Sequence, residues 1–213
     1  MTKIFCDIAD IKLINKFNSK FIVKGFTTNP SLMRKAGAKD YRNYSLNILK
    51  VTDKPVSFEV FADNAKNMIS QGLKISEWGK NVYVKVPVTN SRGKFMGEVI
   101  NKLSKKKIKL NITSVYTAQQ TKKILKKIDK TSKVIISIFA GRMADVGKDP
   151  IPEVKKSIIF AKKYKNVEIL WASVREPYNF IQAKQLKCHI ITAPPAIIEK
   201  IEKFGKSFNK LTI

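Results

Sequence analysis

A lysine set inside a run of β-branched residues is the first feature of this chain that invites chemistry. Lys85 lies in VYVKVPV, residues 82 to 88, where almost every neighbour is apolar. An ammonium buried in such a place is costly unless it is paired or uncharged. One way out is a flexible stem that carries the charge to solvent. The other is a desolvated amine, whose neutral form adds to a carbonyl carbon. That second chemistry must expel the carbonyl oxygen as water and, if a carbon–carbon bond is then cleaved, take a proton from a hydroxyl. Both steps need a positioned acid or base. Asp7 and Glu59 are carboxylates that end apolar runs, and Thr113 could hold a water between them and the amine. Either acid alone reads equally well as a strand-end cap or an ion-pair partner of Lys85.

Arginine gives a second signal because it is scarce. Of 42 basic residues only five are arginine, namely Arg34, Arg42, Arg92, Arg142 and Arg175. The planar guanidinium grips phosphate in a way that lysine does not copy. Arg142 and Arg175 both fall just beyond an apolar run, where they could clamp a phosphate or bridge surface acids such as Asp145 and Glu176.

The elements that must position these groups follow from periodicity. Eight short β-branched runs, at residues 3–9, 25–28, 55–60, 81–88, 109–113, 133–140, 167–173 and 188–194, read as strands. Amphipathic stretches lie between them, several opened by a capping residue or a proline, as at Asp63, Thr117 and Pro195. This alternation predicts an α/β fold, a (β/α)8 TIM barrel forming one domain over residues 1–213, with the tail GKSFNKLTI as a C-terminal helical extension. A doubly wound sheet is the alternative, but FCDIAD after the first strand start contains none of the glycines of a dinucleotide-binding turn. Barrels of this kind carry their sites at the C-terminal strand ends. Polar residues gather there: Asp7, Thr27, Thr28, Asn29, Glu59, Lys85, Asn111, Thr113, Ser137, Arg142, Ser173 and Arg175. Phe139, between Ser137 and Arg142, could wall a pocket.

Composition narrows the class further. Against 42 basic residues stand 16 acidic ones, a net charge of +26. Such an excess can serve a polyanion, yet the lysines are spread along helical spacings such as Lys122, Lys123, Lys126 and Lys127, and no nucleic-acid-binding motif is present. Nucleic acid is therefore not the expected partner. No apolar run spans a bilayer and the start MTKIFCDIAD is not a signal peptide, so a soluble, cytoplasmic protein is expected. Cys6 and Cys188 read as reduced core thiols. His189, the sole histidine, reads as structural, which leaves no histidine-based metal site.

The segments FCDIAD, GFTTNPSL, VSFEV, NVYVKVPVT, LNITSVYTAQQ, SIFAGRMADVG and LWASVREP, in this order, resemble the small transaldolases and the closely similar fructose-6-phosphate aldolases over almost the whole length. The resemblance implies that Lys85 forms a Schiff base, that Asp7 is the acid/base on the hydroxyl beside the cleaved bond, and that Glu59 and Thr113 hold a proton-shuttling water. It implies that Asn29 and Asn111 bind the dihydroxyacetone part, that Arg142, Ser173 and Arg175 hold phosphate, and that Thr27 and Ser137 line the site. Glu59 and Phe139 stand where the aldolases tend to carry glutamine and tyrosine, so both favour transaldolase. Trp171 stands where the family carries small residues, and would narrow the pocket or alter subunit packing. The implied reaction moves a dihydroxyacetone unit from fructose 6-phosphate or sedoheptulose 7-phosphate to erythrose 4-phosphate or glyceraldehyde 3-phosphate, as in the pentose phosphate pathway. It needs no metal or organic cofactor, because the protonated imine is the electron sink. Its partners are sugar phosphates and copies of itself, in pentamers or decamers. The alternatives are an aldolase releasing free dihydroxyacetone and, more remotely, a non-catalytic polyanion-binding protein.

Overall fold

In the structure, a computed structural model that describes residues 1–212, eight parallel strands close into a barrel in chain order. The strands are β1 Lys3–Asp7, β2 Val23–Thr27, β3 Val56–Glu59, β4 Val82–Pro87, β5 Leu110–Val115, β6 Val134–Ile138, β7 Val167–Trp171 and β8 Ile190–Ala193. Around them run α1 Ile11–Asn18, α2 Pro30–Lys35, α3 Tyr41–Lys50, α4 Ala65–Ser76, α5 Gly97–Lys105, α6 Ala118–Leu125, α7 Ala140–Asp145, α8 Ile151–Ala161, α9 Tyr178–Gln185 and α10 Pro195–Ile201. Short α11, Asn209–Thr212, forms the tail expected as a C-terminal extension, whose final position, 213, lies outside the described residues. No helix of the described residues is long and apolar enough to cross a membrane.

Alternation along each strand divides the apolar residues into two compartments. Val84, Val86, Ile112, Ile136 and Ile169 face the helices and belong to the large outer core. A smaller cluster fills the barrel itself: Phe5, Tyr83, Ile135, Leu170, Ala172 and Ile190, with Phe139 packed against it. Lys85 is therefore surrounded in sequence by valines that point away from it. The inner cluster is a plug, and the polar strand ends sit above it.

Several boundaries differ from the sequence expectation, each for a local reason. Thr117 caps α6 through a reciprocal capping box with Gln120, as its spacing predicts. Asp63 does not cap α4: Asn64 does, while the Asp63 carboxylate accepts from the Ser91 backbone N–H and hydroxyl at 2.7 and 2.6 Å. Residues 91–96 are consequently a turn closed by a Thr89–Phe95 bridge, and α5 begins only at Gly97. The two short helices α2 and α7 were not expected. For α2 the signal is present, since Asn29 caps it and Pro30 occupies its first position. Helix α7 begins at Ala140, the last residue that β-branched patterning assigns to the sixth strand.

The plug sets a steric limit on β2. A Cβ on Gly25 would lie 2.7 to 2.8 Å from three atoms of the Phe5 ring. That ring is 3 % exposed and closes the floor beneath the polar strand ends, so it has little room to yield. Overpacking of this kind costs about 1–3 kcal/mol, and each 1 kcal/mol moves the midpoint of a chain this size by about 2–4 °C. Gly25→Ala should lower the thermal midpoint by several degrees in a calorimetric scan, and an unchanged midpoint would mean that the plug is not tightly packed.

Candidate active site

At the C-terminal strand ends a cavity of about 590 Å³ opens above the plug. Asp7, Thr27, Asn29, Glu59, Lys85, Asn111, Thr113, Ser137, Phe139, Arg142, Ser173 and Arg175 line it, whereas Thr28, also expected at a strand end, does not: its hydroxyl donates to the Ser57 carbonyl at 2.7 Å. Strand register explains the convergence. Asp7 pairs with Thr27 across β1 and β2, Glu59 with Lys85 across β3 and β4, and Lys85 with Asn111 across β4 and β5. Neighbouring positions in adjacent parallel strands project to the same side, so the five groups form one inward wall.

Lys85 is only 7 % exposed. Its Nζ lies 3.1 Å from Glu59 Oε2 and donates to the Thr28 carbonyl oxygen at 3.0 Å. The side chain thus points into the barrel and is paired, which rules out the escape to solvent. Glu59 is itself fixed: the Tyr41 hydroxyl donates to its carbonyl at 3.1 Å and accepts from its N–H at 2.8 Å. Tyr41 had no sequence signal for this task, because it belongs to a helix whose pattern reads as ordinary packing.

Asp7 keeps part of its surface open to the cavity, but its carboxyl is ringed by protein. Burial pushes its pKa above the ordinary carboxylate value; the Lys85 charge and a hydrogen bond from Thr27 pull in the opposite direction, and Glu59 adds to the rise. The Thr27 hydroxyl lies 2.6 Å from Asp7 Oδ1 and 2.6 Å from the Thr192 hydroxyl. Across the cavity Asn111 donates to Ser57 Oγ at 3.0 Å and accepts from Ser137 Oγ at 2.6 Å, so its amide is held from both sides. Ser57 and Thr192 are further residues that sequence reasoning missed, since a hydroxyl inside a strand carries no distinctive pattern. The Thr113 hydroxyl is buried with no hydrogen-bond partner among the described residues. An unmatched buried hydroxyl beside an amine and two carboxylates has the character of a water or substrate contact. Strand β5 shifts register between Ile112 and Val115, and Ser114 there has a φ of 58°, a bulge that turns Thr113 and Ser114 toward the cavity.

Arg142 and Arg175 form the rim. The Arg142 guanidinium stacks 4.9 Å from the centre of the Phe139 ring, which in turn packs edge-on against Tyr116. Arg175 grips Asp145 with two donors, Nε at 3.0 Å and Nη2 at 2.5 Å, and this pairing raises the Arg175 pKa and lowers that of Asp145. The surface-bridging alternative is thus realised for Arg175, yet the guanidinium stays on the cavity rim. Ser173 adopts a left-handed φ of 65° and approaches Gly141 so closely that a Cβ there would overlap the Ser173 carbonyl. Glycine at 141 is what lets α7 and the loop after β7 meet. Asn29 spends its side-chain oxygen on the α2 cap, accepting from the Leu32 N–H at 2.9 Å, which leaves its amide nitrogen for the cavity.

Trp171 is placed otherwise than expected, while His189 has the structural role expected of it. Trp171 does not narrow the pocket: it lies in the outer core between sheet and helices at 1 % exposure, because neighbouring Leu170 and Ala172 are the inward positions. His189 is far from Lys85, at the other end of the barrel, where its Nδ1 accepts from the Ile169 N–H at 3.1 Å. Lys35, near the end of α2, joins the cavity lining and adds a cation that the sequence did not single out.

Comparison with known proteins agrees with this geometry. The profile of the Transaldolase/Fructose-6-phosphate aldolase family matches residues 4–212. A "Probable transaldolase" of Thermoanaerobacter sp. (strain X514) is 32% identical over 202 residues, covering 94% of this chain and 89% of that protein. One of Methanococcus maripaludis (strain C7) is 34% identical over 202 residues, covering 93% and 89%. Among solved structures, N-acetylneuraminate lyase from Mycoplasma synoviae superposes with a TM-score of 0.59 at 9% identity, covering 89% of this chain and 68% of that one, which is a likeness of fold alone. With its closed eight-stranded barrel and a lysine-centred cavity at the strand ends, the chain belongs to the transaldolase/fructose-6-phosphate aldolase family.

Proposed function

We propose that the protein moves a dihydroxyacetone unit from a ketose phosphate, such as fructose 6-phosphate or sedoheptulose 7-phosphate, to an aldose phosphate, such as erythrose 4-phosphate or glyceraldehyde 3-phosphate. The observation that carries the reading is Lys85: a buried amine inside an apolar barrel, 3.1 Å from one carboxylate and within the field of a second.

Its nitrogen adds to the ketone carbon, and the carbinolamine loses water to give an iminium. Glu59, beside the amine, and a water held by the Thr113 hydroxyl relay the protons of this step. Asp7 then takes the proton of the hydroxyl carried by the far carbon of the bond to be broken. As that carbonyl forms, the carbon–carbon pair moves into the iminium, leaving an enamine on Lys85 and releasing an aldose phosphate. Addition of the enamine to a second aldehyde, followed by hydrolysis, returns the free amine. A carboxyl whose pKa is raised by burial suits Asp7 to both directions of that proton transfer. Asn29 and Asn111 hold the hydroxyls of the three-carbon unit, Thr27 and Ser137 fix Asp7 and Asn111, and Arg142, Ser173 and Arg175 receive the phosphate.

Phenylalanine at 139 favours transfer over release. Its ring offers no proton to the enamine, which therefore waits for an aldehyde, whereas a hydroxyl there would favour free dihydroxyacetone. With fructose 6-phosphate alone, turnover should be slow; adding erythrose 4-phosphate should accelerate consumption of the donor by at least an order of magnitude. Equal turnover with and without the acceptor, accompanied by free dihydroxyacetone, would establish the aldolase reading instead. Arg175→Ala removes a charged partner worth roughly 1.5–3 kcal/mol to a bound phosphate. The Michaelis constant for phosphorylated acceptors should rise tenfold or more, with little change for an unphosphorylated aldehyde such as glyceraldehyde. A parallel rise for both would remove Arg175 from phosphate binding.

A further inference from the structure

A second cavity, about 1140 Å³, lies at the opposite end of the barrel, among the N-terminal ends of β1, β6 and β7 and the loops that follow α6 and α8. Its lining carries six lysines, Lys3, Lys130, Lys133, Lys162, Lys163 and Lys165, against one carboxylate, Glu168. Glu168 is already taken by Lys3 at 2.6 Å. The other five ammonium groups are on exposed residues and have no ion-pair partner among the described residues. Elsewhere a lysine can be neutralised by its own helix, as Lys102 is by Glu98 at 2.8 Å. Like charges gathered around a concavity with low-dielectric walls reinforce one another's field, and an anion that bridges them relieves their mutual repulsion.

We propose that this groove binds inorganic oligophosphate, a linear chain of phosphates neutralised by the five unpaired lysines. Two of the other polar side chains in the groove are spent on the fold, which leaves the ammonium charges as its dominant feature. The Asn166 amide donates to the Asp129 and Ser132 carbonyls at 3.1 and 2.6 Å, and His189 Nδ1 accepts from the backbone. Recognition dominated by ammonium charge suits a repeating anion. Nucleic acid fits less well, since binding of single strands draws on exposed aromatic rings that stack bases. The two tyrosines here are withdrawn, Tyr83 being 8 % exposed and Tyr164 half-buried. Nor does the lining include an arginine, the side chain that reads guanine by paired donors.

The test compares two variants of the full chain that lower the net charge equally: K162Q/K163Q/K165Q in the groove and K122Q/K123Q/K126Q on the outer face of α6. Affinity for inorganic tripolyphosphate is measured by calorimetry at an ionic strength of about 0.15 M. The wild-type protein and the α6 variant should bind within twofold of each other, and the groove variant at least tenfold more weakly. Fructose 6-phosphate turnover should be the same in all three, because none of these residues borders the Lys85 cavity. Equal losses in the two variants would overturn the proposal in favour of diffuse charge. So would an absence of binding by the wild-type protein, or tighter binding of a single-stranded oligonucleotide than of polyphosphate with the same number of phosphates.

Discussion

The ion pair between Lys85 and Glu59, set at 3.1 Å with both side chains largely out of water, is the constraint around which the upper half of the barrel is organised. Taking two charges out of water costs several kcal/mol for each, and their attraction repays this only with good geometry and further hydrogen bonds. The barrel supplies both. Strand register places the two residues side by side, the Thr28 carbonyl accepts a second hydrogen bond from the ammonium, and the Tyr41 hydroxyl anchors Glu59 through its backbone. Asp7 goes the other way. Burial raises its pKa, so its ionised form weakens the fold: the stability it contributes is fully present below its unfolded value and is lost as pH rises through its folded value. At neutral pH the protein tolerates an acid that stability alone would not retain, a trade expected where a group serves chemistry.

The two ends of the barrel divide the work. Beneath the ion pair, the apolar plug of Phe5, Tyr83, Ile135, Leu170 and Ile190 keeps water from reaching the site from below. Above it, polar residues ring a cavity whose rim arginines are steered by neighbours, Arg142 by the Phe139 ring and Arg175 by Asp145. The close packing of Gly141 on Ser173 ties those two arginines to one another, because α7 and the loop after β7 meet there. Below the plug, six lysines and a single carboxylate line a second cavity.

Much of this was legible from residue order. An ammonium amid valines needs a partner, eight β-branched runs separated by amphipathic stretches need a barrel, and a barrel needs its site at the strand ends. What sequence left open was local. Alternation alone does not reveal that Trp171 faces the helices and not the cavity, because Ser173, two residues on, does line the cavity, and only its left-handed backbone beyond the strand end breaks the shared parity. The supporting hydroxyls of Tyr41, Ser57 and Thr192 escaped notice because a single hydroxyl in an apolar run fits equally well as an unremarkable core residue. Helices of six residues, such as α2 and α7, are too short for periodicity to register, although the Asn29–Pro30 pair marked the first of them.

Lys85 is the proposed nucleophile, and covalent trapping addresses that role directly. Borohydride reduces an imine but leaves a non-covalent complex untouched. After incubation with fructose 6-phosphate and borohydride, peptide mass spectrometry should find a reduced dihydroxyacetone adduct on the peptide carrying Lys85, and none in Lys85→Met. An unmodified Lys85, or an adduct on one of the other lysines that persists in Lys85→Met, would contradict the account.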